Sequence, residues 1–143
     1  MRDVATWAAS FYKDYLIDFT TRPADADLIL INICINKNHW VLVSVDVKKK
    51  KIRVYDSELY TDLAFVKEIT ENLIYFLFQE RDWEFRPYRK YIQPRKVHCG
   101  VYNLLFMKKI LCKPKLHIPI TEEKLILARY KFALEILNEK IIY

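Results

Sequence analysis

Glycine is almost missing from this chain. Of 143 residues only Gly100 is glycine, where the usual share of ~7% would supply about ten. Every turn has dispensed with it, and the one retained follows Cys99 directly. A glycine at the start of an apolar helix costs about 1 kcal/mol against alanine. Its retention predicts close approach of another backbone or a ligand at that point. Cysteine is scarce too. Cys34, Cys99 and Cys112 are an odd number without C-x-x-C spacing, which excludes a full disulfide framework and predicts a reducing compartment, cytoplasm or nucleus. No apolar run approaches the ~18 residues of a membrane span. Charges at Arg2 and Asp3, with no continuous apolar stretch behind them, predict no secretory signal. Internal repeats and low-complexity segments are lacking as well.

What is present is a globular composition, 52% hydrophobic and 15% aromatic. The length predicts one domain over 1–143 with a sizeable core. The formal charge is +6. Much of the excess lies in Lys48–Lys51 and in Arg86, Arg89, Lys90, Arg95 and Lys96. The first group reads as a solvated hairpin turn. The second lies on the approach to Cys99 and is open to an anionic partner. Charge alone does not choose between RNA and protein, but no nucleic-acid motif supports the former. Neither nucleic acid nor a membrane is expected as a partner.

Periodicity places the elements. Residues 6–19 carry Trp7, Phe11, Tyr15 and Phe19 four apart and predict an amphipathic helix. The run LILINICI at 28–35 suits a strand buried on both faces. Asn36–Asn38 reads as a turn, 39–47 as a second strand and 52–56 as a third, joined through the lysine turn. A helix is predicted over 61–78, with Val66, Ile69, Leu73, Phe76 and Leu77 on one stripe. Residues 83–91 read as a strand or extended arm. An apolar central helix is expected over 99–111, with Pro114 beyond its end. A last helix over 121–140 carries Leu125, Ala128, Phe132 and Ile136. This order predicts an α+β fold.

The hairpin brings chemistry together by parity. Opposite residues of an antiparallel pair have a constant index sum, and side chains alternate with period two. A loop with an even residue count (47–48, 47–50 or 48–51) puts His39 and Asp56 on one face; an odd count separates them. A carboxylate there would orient an imidazole and leave its other nitrogen to take a proton. Taken alone, His39 reads equally as a strand-end histidine satisfied by a turn carbonyl, and Asp56 as a surface turn residue. Cys99 changes the balance, because a helix N-terminus and a nearby imidazolium both favour the thiolate that attacks a carbonyl. Cys34, mid-strand, and Cys112, at a helix end, read as inert buried cysteines. Gln93, six residues before Cys99, offers an amide N–H that, with the Cys99 backbone N–H, could hold an oxyanion. Trp40 could wall a narrow channel or simply belong to the core.

The set His39-Trp40, Asp56-Ser57, Gln93 and Cys99-Gly100 resembles, in order and spacing, the Ulp1/sentrin-protease family of cysteine peptidases, which process ubiquitin-like proteins. The matching stretches are NHWVLVSVDVKKKKIRVYDS at Asn38–Ser57 and Q-x5-CG at Gln93–Gly100. ADLILINICINKNHW and the closing helix with Arg129 are similar to the family as well, so the likeness runs from about residue 26 onward. It implies a papain-like α+β fold, a mixed or antiparallel central sheet with the nucleophile at the head of a central helix. It also implies roles: Cys99 nucleophile, His39 base, Asp56 orienter and Gln93 oxyanion donor. Trp40, Gly100 and Trp7 would contact substrate. The reaction implied is cleavage after a Gly-Gly tail, acting as a peptidase or isopeptidase on SUMO, NEDD8 or ubiquitin and their conjugates. No cofactor or metal is implied, and a monomer is expected. The residue before the cysteine, usually aspartate in the family, is His98 here. Two other readings use the same residues: a ubiquitin-like-protein-binding module of this fold without turnover, and an acetyltransferase effector. A zinc site from Cys34, His39, His98 and Cys99 lacks the close paired spacing of structural zinc ligands.

Overall fold

The computed structural model describes residues 25–138. The helix expected over 6–19, and with it Trp7, lies outside the described residues. The order of elements is β1 (Leu28–Ile35), β2 (His39–Asp46), β3 (Lys51–Tyr55), α1 (Leu63–Phe78), β4 (Glu84–Tyr88), α2 (Cys99–Leu111) and α3 (Glu122–Asn138). The strands form one four-stranded sheet in the order β1-β2-β3-β4.

The sheet is mixed. Short turns at 36–38 and 47–50 make β1-β2 and β2-β3 antiparallel hairpins, as Val47 N–H donating to Asp27 O at 3.0 Å shows for the first pair. β3 and β4 run the same way. The Glu84 N–H donates to Lys50 O at 3.0 Å near the start of both, and the Asp56 N–H to Tyr88 O at 3.1 Å near their ends. A parallel neighbour needs a crossover, and α1 supplies it. Without glycine, the turns place other residues in the left-handed region: Asn36, Lys37, Lys50, Gln79 and Asp82 all have positive φ. Left-handed geometry costs an L-residue roughly 1–2 kcal/mol, least for Asn and Asp.

The chain divides into two compact units. The first comprises the described residues up to Ile31, Val43–Val54 and Thr61–Pro87. Its buried apolar residues include Val43 and Val45 of β2, Ile52 and Val54 of β3, and Val66, Leu73 and Ile74 of α1. Asp62 caps α1 by accepting the Phe65 N–H at 3.1 Å. The helix buries Val66, Thr70, Leu73 and Ile74, a stripe rotated from the predicted one, so Phe76 is exposed.

The second unit comprises Asn32–Leu42, Tyr55–Tyr60 and the described residues from Tyr88 onward. α2 buries Cys99, Tyr102, Asn103 and Phe106 on one helical stripe. Phe106 meets Tyr55 at 5.3 Å and Tyr102 at 5.9 Å between ring centroids, so aromatic packing fixes the helix beneath the site. Polar ties complete it. The Tyr102 hydroxyl donates to Pro119 O at 3.0 Å, and Asn103 Nδ2 donates to Asn32 Oδ1 at 2.9 Å. Burial pushes the Tyr102 phenol up to about 12.

Three expectations fail here. β1 is covered on one face and not on both: Ile33 and Ile35 are inside while Asn32 and Cys34 are exposed. Cys112, at the C-cap of α2, is exposed rather than buried. On α3 only Leu125 of the predicted stripe is fully buried, and Ile136 is exposed.

Candidate active site

The β2-β3 loop is 47–50, an even count. His39 and Asp56 therefore share a face, and His39 Nε2 lies 2.7 Å from Asp56 Oδ1. Asp56 is wholly buried, and a buried carboxylate needs compensation. It receives the Glu58 N–H at 3.0 Å on Oδ1, and the Arg89 Nε and Nη2 groups at 3.2 and 3.1 Å on Oδ2. The guanidinium fork holds one oxygen and so presents the other to the imidazole. Carried two residues further, the same hairpin register brings Glu58 to the ring: its Oε2 lies 3.4 Å from His39 Nδ1, and Lys96 Nζ lies 3.0 Å from its other oxygen.

Cys99 is the first residue of α2. His98, at the N-cap position, makes no side-chain cap bond, which leaves the first N–H groups of the helix to other acceptors. The sulfur is one of them. A hydrogen bond from His39 lowers the Cys99 pKa most. Burial opposes this, while the backbone N–H groups of Trp40 and Gly100 and the charge of His39 assist. The partner moves the other way. Burial pulls the His39 imidazole down, but hydrogen bonds with Asp56 and Cys99 and their charges more than offset it and raise its pKa from 6.5 to about 9. Opposite shifts on two groups sharing a proton favour a thiolate–imidazolium pair. With Nε2 taken by Asp56, the ring nitrogen left for the sulfur is Nδ1.

Gln93 is buried and held at both ends. Its backbone N–H donates to Ser57 O at 2.9 Å, and its side-chain Oε1 accepts the His98 N–H at 3.0 Å. That leaves Nε2 buried without a hydrogen-bond partner among the described residues. Trp40 is 43% exposed, so its ring is not core. Gly100 is exposed, and a Cβ built on it would meet nothing within 4 Å. Of the two approaches expected there, that of another backbone is absent among the described residues, and the space beside Cys99 is open. The second basic group is largely spent on carboxylates: Arg86 on Glu84, Arg89 on Asp56, Arg95 on Glu122 and Lys96 on Glu58. Glu58 had no signal beyond the parity rule that found Asp56, and Arg89 stood out only as one of the basic residues on the approach to Cys99. Among the described residues no group of three or more His, Cys, Asp or Glu side chains could hold a metal ion.

Known structures share this fold. The C-terminal Ulp1 protease domain in complex with Smt3, the yeast ortholog of SUMO, is similar at 22% identity and a TM-score of 0.73, covering 94% of this chain and 63% of that one. The catalytic domain of a Chaetomium thermophilum Ulp1-like SUMO protease is similar at 22% identity and a TM-score of 0.61, covering 85% of this chain and 49% of that one. The Chlamydia abortus effector protein ChlaDUB is similar at 18% identity and a TM-score of 0.51, covering 73% of this chain and 48% of that one. The chain thus spans less than two thirds of the length of these structures. No curated protein matches it in sequence. The family model of the Ulp1 protease C-terminal catalytic domain matches residues 6–141. The chain belongs to the Ulp1 protease family of cysteine peptidases.

Proposed function

We propose that this chain is a thiol peptidase domain that cleaves after the C-terminal tail of a ubiquitin-like protein. One observation carries the reading: His39 lies between Asp56 and Cys99, its pKa raised to about 9 while that of Cys99 is lowered. In this mechanism the Cys99 thiolate attacks the carbonyl carbon of the last tail residue. The oxyanion takes hydrogen bonds from the Cys99 N–H and from Gln93 Nε2. A buried donor without an acceptor costs about 1–3 kcal/mol, and developing charge on the substrate would recover that cost. His39 gives its Nδ1 proton to the departing amine, leaving a thioester on Cys99. It then takes a proton from water, whose oxygen attacks the thioester carbon and frees both tail and thiol. The exposed Trp40 ring and the open space at Gly100 support a tail lying across the head of α2.

One feature favours the second reading, a binding module with weak turnover. Glu58 offers His39 Nδ1 a second anion, which competes with the thiolate for the same proton. Probes made of SUMO, NEDD8 or ubiquitin ending in a thiol-reactive electrophile separate the two. We expect a covalent adduct on Cys99 with at least one probe, lost in Cys99→Ala and sharply weakened in His39→Ala. An intact mass unchanged across all three, with binding retained, would leave only the module.

A further inference from the structure

The residue next to the nucleophile is buried in a cluster that the mechanism above does not use. His98 is 2% exposed. Its Nδ1 lies 3.4 Å from Arg129 Nη2, and its Nε2 lies 3.0 Å from Glu122 Oε2. The second pair is at ion-pair distance but is too bent for a hydrogen bond. Glu122 opens α3 and Arg129 follows seven residues later, so both lie on the helix face that also buries Leu125. Arg129 Nη2 also donates to Val97 O, and Arg95 Nη1 lies 3.3 Å from Glu122 Oε1. Residues 95, 97 and 98 are therefore each tied to α3.

The partners assign the ring. A guanidinium only donates, so His98 Nδ1 is the acceptor and the ring hydrogen sits on Nε2, facing Glu122. The ring thus bridges the Arg129 cation and the Glu122 carboxylate. An aspartate at this position would satisfy Arg129 but stand against the Glu122 carboxylate, and like charges in contact repel. The backbone N–H of this same residue orients the Gln93 carboxamide by bonding Oε1, and a reversed amide would offer the site an oxygen in place of a donor.

We propose that His98 is a positioning residue: with Glu122 and Arg129 it ties residues 93–98 to α3 and so holds Gln93 with its N–H free for an oxyanion. This rests on the peptidase reading, and it predicts that the cluster serves the oxyanion side of the site and not the thiolate.

Four forms of the chain test it: parent, His98→Asp, Glu122→Gln and the double variant. Three quantities are read: turnover of a ubiquitin-like protein carrying a C-terminal fluorogenic amide, alkylation of Cys99 by iodoacetamide, and melting temperature. Alkylation needs the thiolate but forms no oxyanion. We expect His98→Asp to lose about 10- to 100-fold in kcat, up to the loss of one oxyanion donor, with KM and Cys99 alkylation within about twofold. Adding Glu122→Gln should restore most of the kcat and raise the melting temperature, whereas Glu122→Gln in the parent should lower both. If His98→Asp does not fold, that last comparison, with alkylation unchanged, carries the test. The proposal is overturned if His98→Asp matches the parent, if the double variant is no better than His98→Asp, or if alkylation falls along with turnover. A parent without turnover would remove the peptidase reading. The sign reversal of Glu122→Gln in melting temperature would still decide whether the ion-paired cluster exists.

Discussion

Two basic stretches look alike in composition and differ in what their charges do. In the hairpin 47–50 the lysines meet acids at the surface. Lys48 Nζ lies 2.7 Å from Asp27 Oδ1, with the two side chains 76% and 74% exposed. In the stretch from Arg89 to Lys96 one cation, Arg89, closes on the buried carboxylate beside His39. Arg89 Nη2 lies 3.1 Å from Asp56 Oδ2, with side chains 24% and 0% exposed. Distance barely separates these pairs, and burial does. Water screens the first and leaves it little net value. In the second the carboxylate has no water to return to, so removing its partner strands a charge. A run of solvated lysines and a support for the buried carboxylate beside His39 thus share one sequence signal, and only the surroundings tell them apart.

Three changes sharpen that contrast. The largest effect is expected from Asp56→Asn, which keeps shape and removes charge from the buried cluster. By analogy with other His–acid pairs, turnover should fall about 10⁴-fold with the fold retained. Its pH profile carries a sign. The thiolate–imidazolium pair exists above the lowered pKa of Cys99 and below that of His39, so the alkaline limb of kcat/KM in the parent should lie at about 9. Asp56 raises that value, so in Asp56→Asn the limb should move down toward 6.5. A limb that stays in place would show that Asp56 does not hold the imidazolium. Next is Arg89→Gln, which leaves Asp56 one cation short. On the order of 2 kcal/mol of stability should be lost in chemical denaturation, between the surface and the fully buried case. A loss no larger than for a surface lysine would put the two stretches in one class. Smallest is Lys48→Ala, which should leave melting temperature and turnover unchanged within error.

How much could be read beforehand follows from the range of the forces involved. β1 and α2 fall where short-range periodicity placed them, because turn residues and Pro114 delimit them locally. The pairing of His39 with Asp56 was legible because parity needs only a loop length. Arg89 on Asp56 was not, since it depends on β4 lying parallel beside β3 after a helical crossover. Nor was His98 with Glu122 and Arg129, where partners separated by a long stretch of chain meet only once α3 is in place. The stripe on α3 misled for a different reason: helical spacing says which residues share a face, not whether anything covers it, and Ile136 is 74% exposed. Burial of β1 failed likewise, because an apolar run does not say whether both faces of the sheet are covered.

Surroundings, not access, are expected to make one of the three thiols reactive. Cys34 and Cys112 are exposed and Cys99 is buried. Limiting iodoacetamide at pH about 6.5, well below the ordinary cysteine pKa of ~8.5, followed by peptide mapping, ranks the three directly. Buried Cys99 should be alkylated first, and His39→Ala should abolish its lead. Preferential labelling of Cys34 and Cys112 in the parent protein would contradict it.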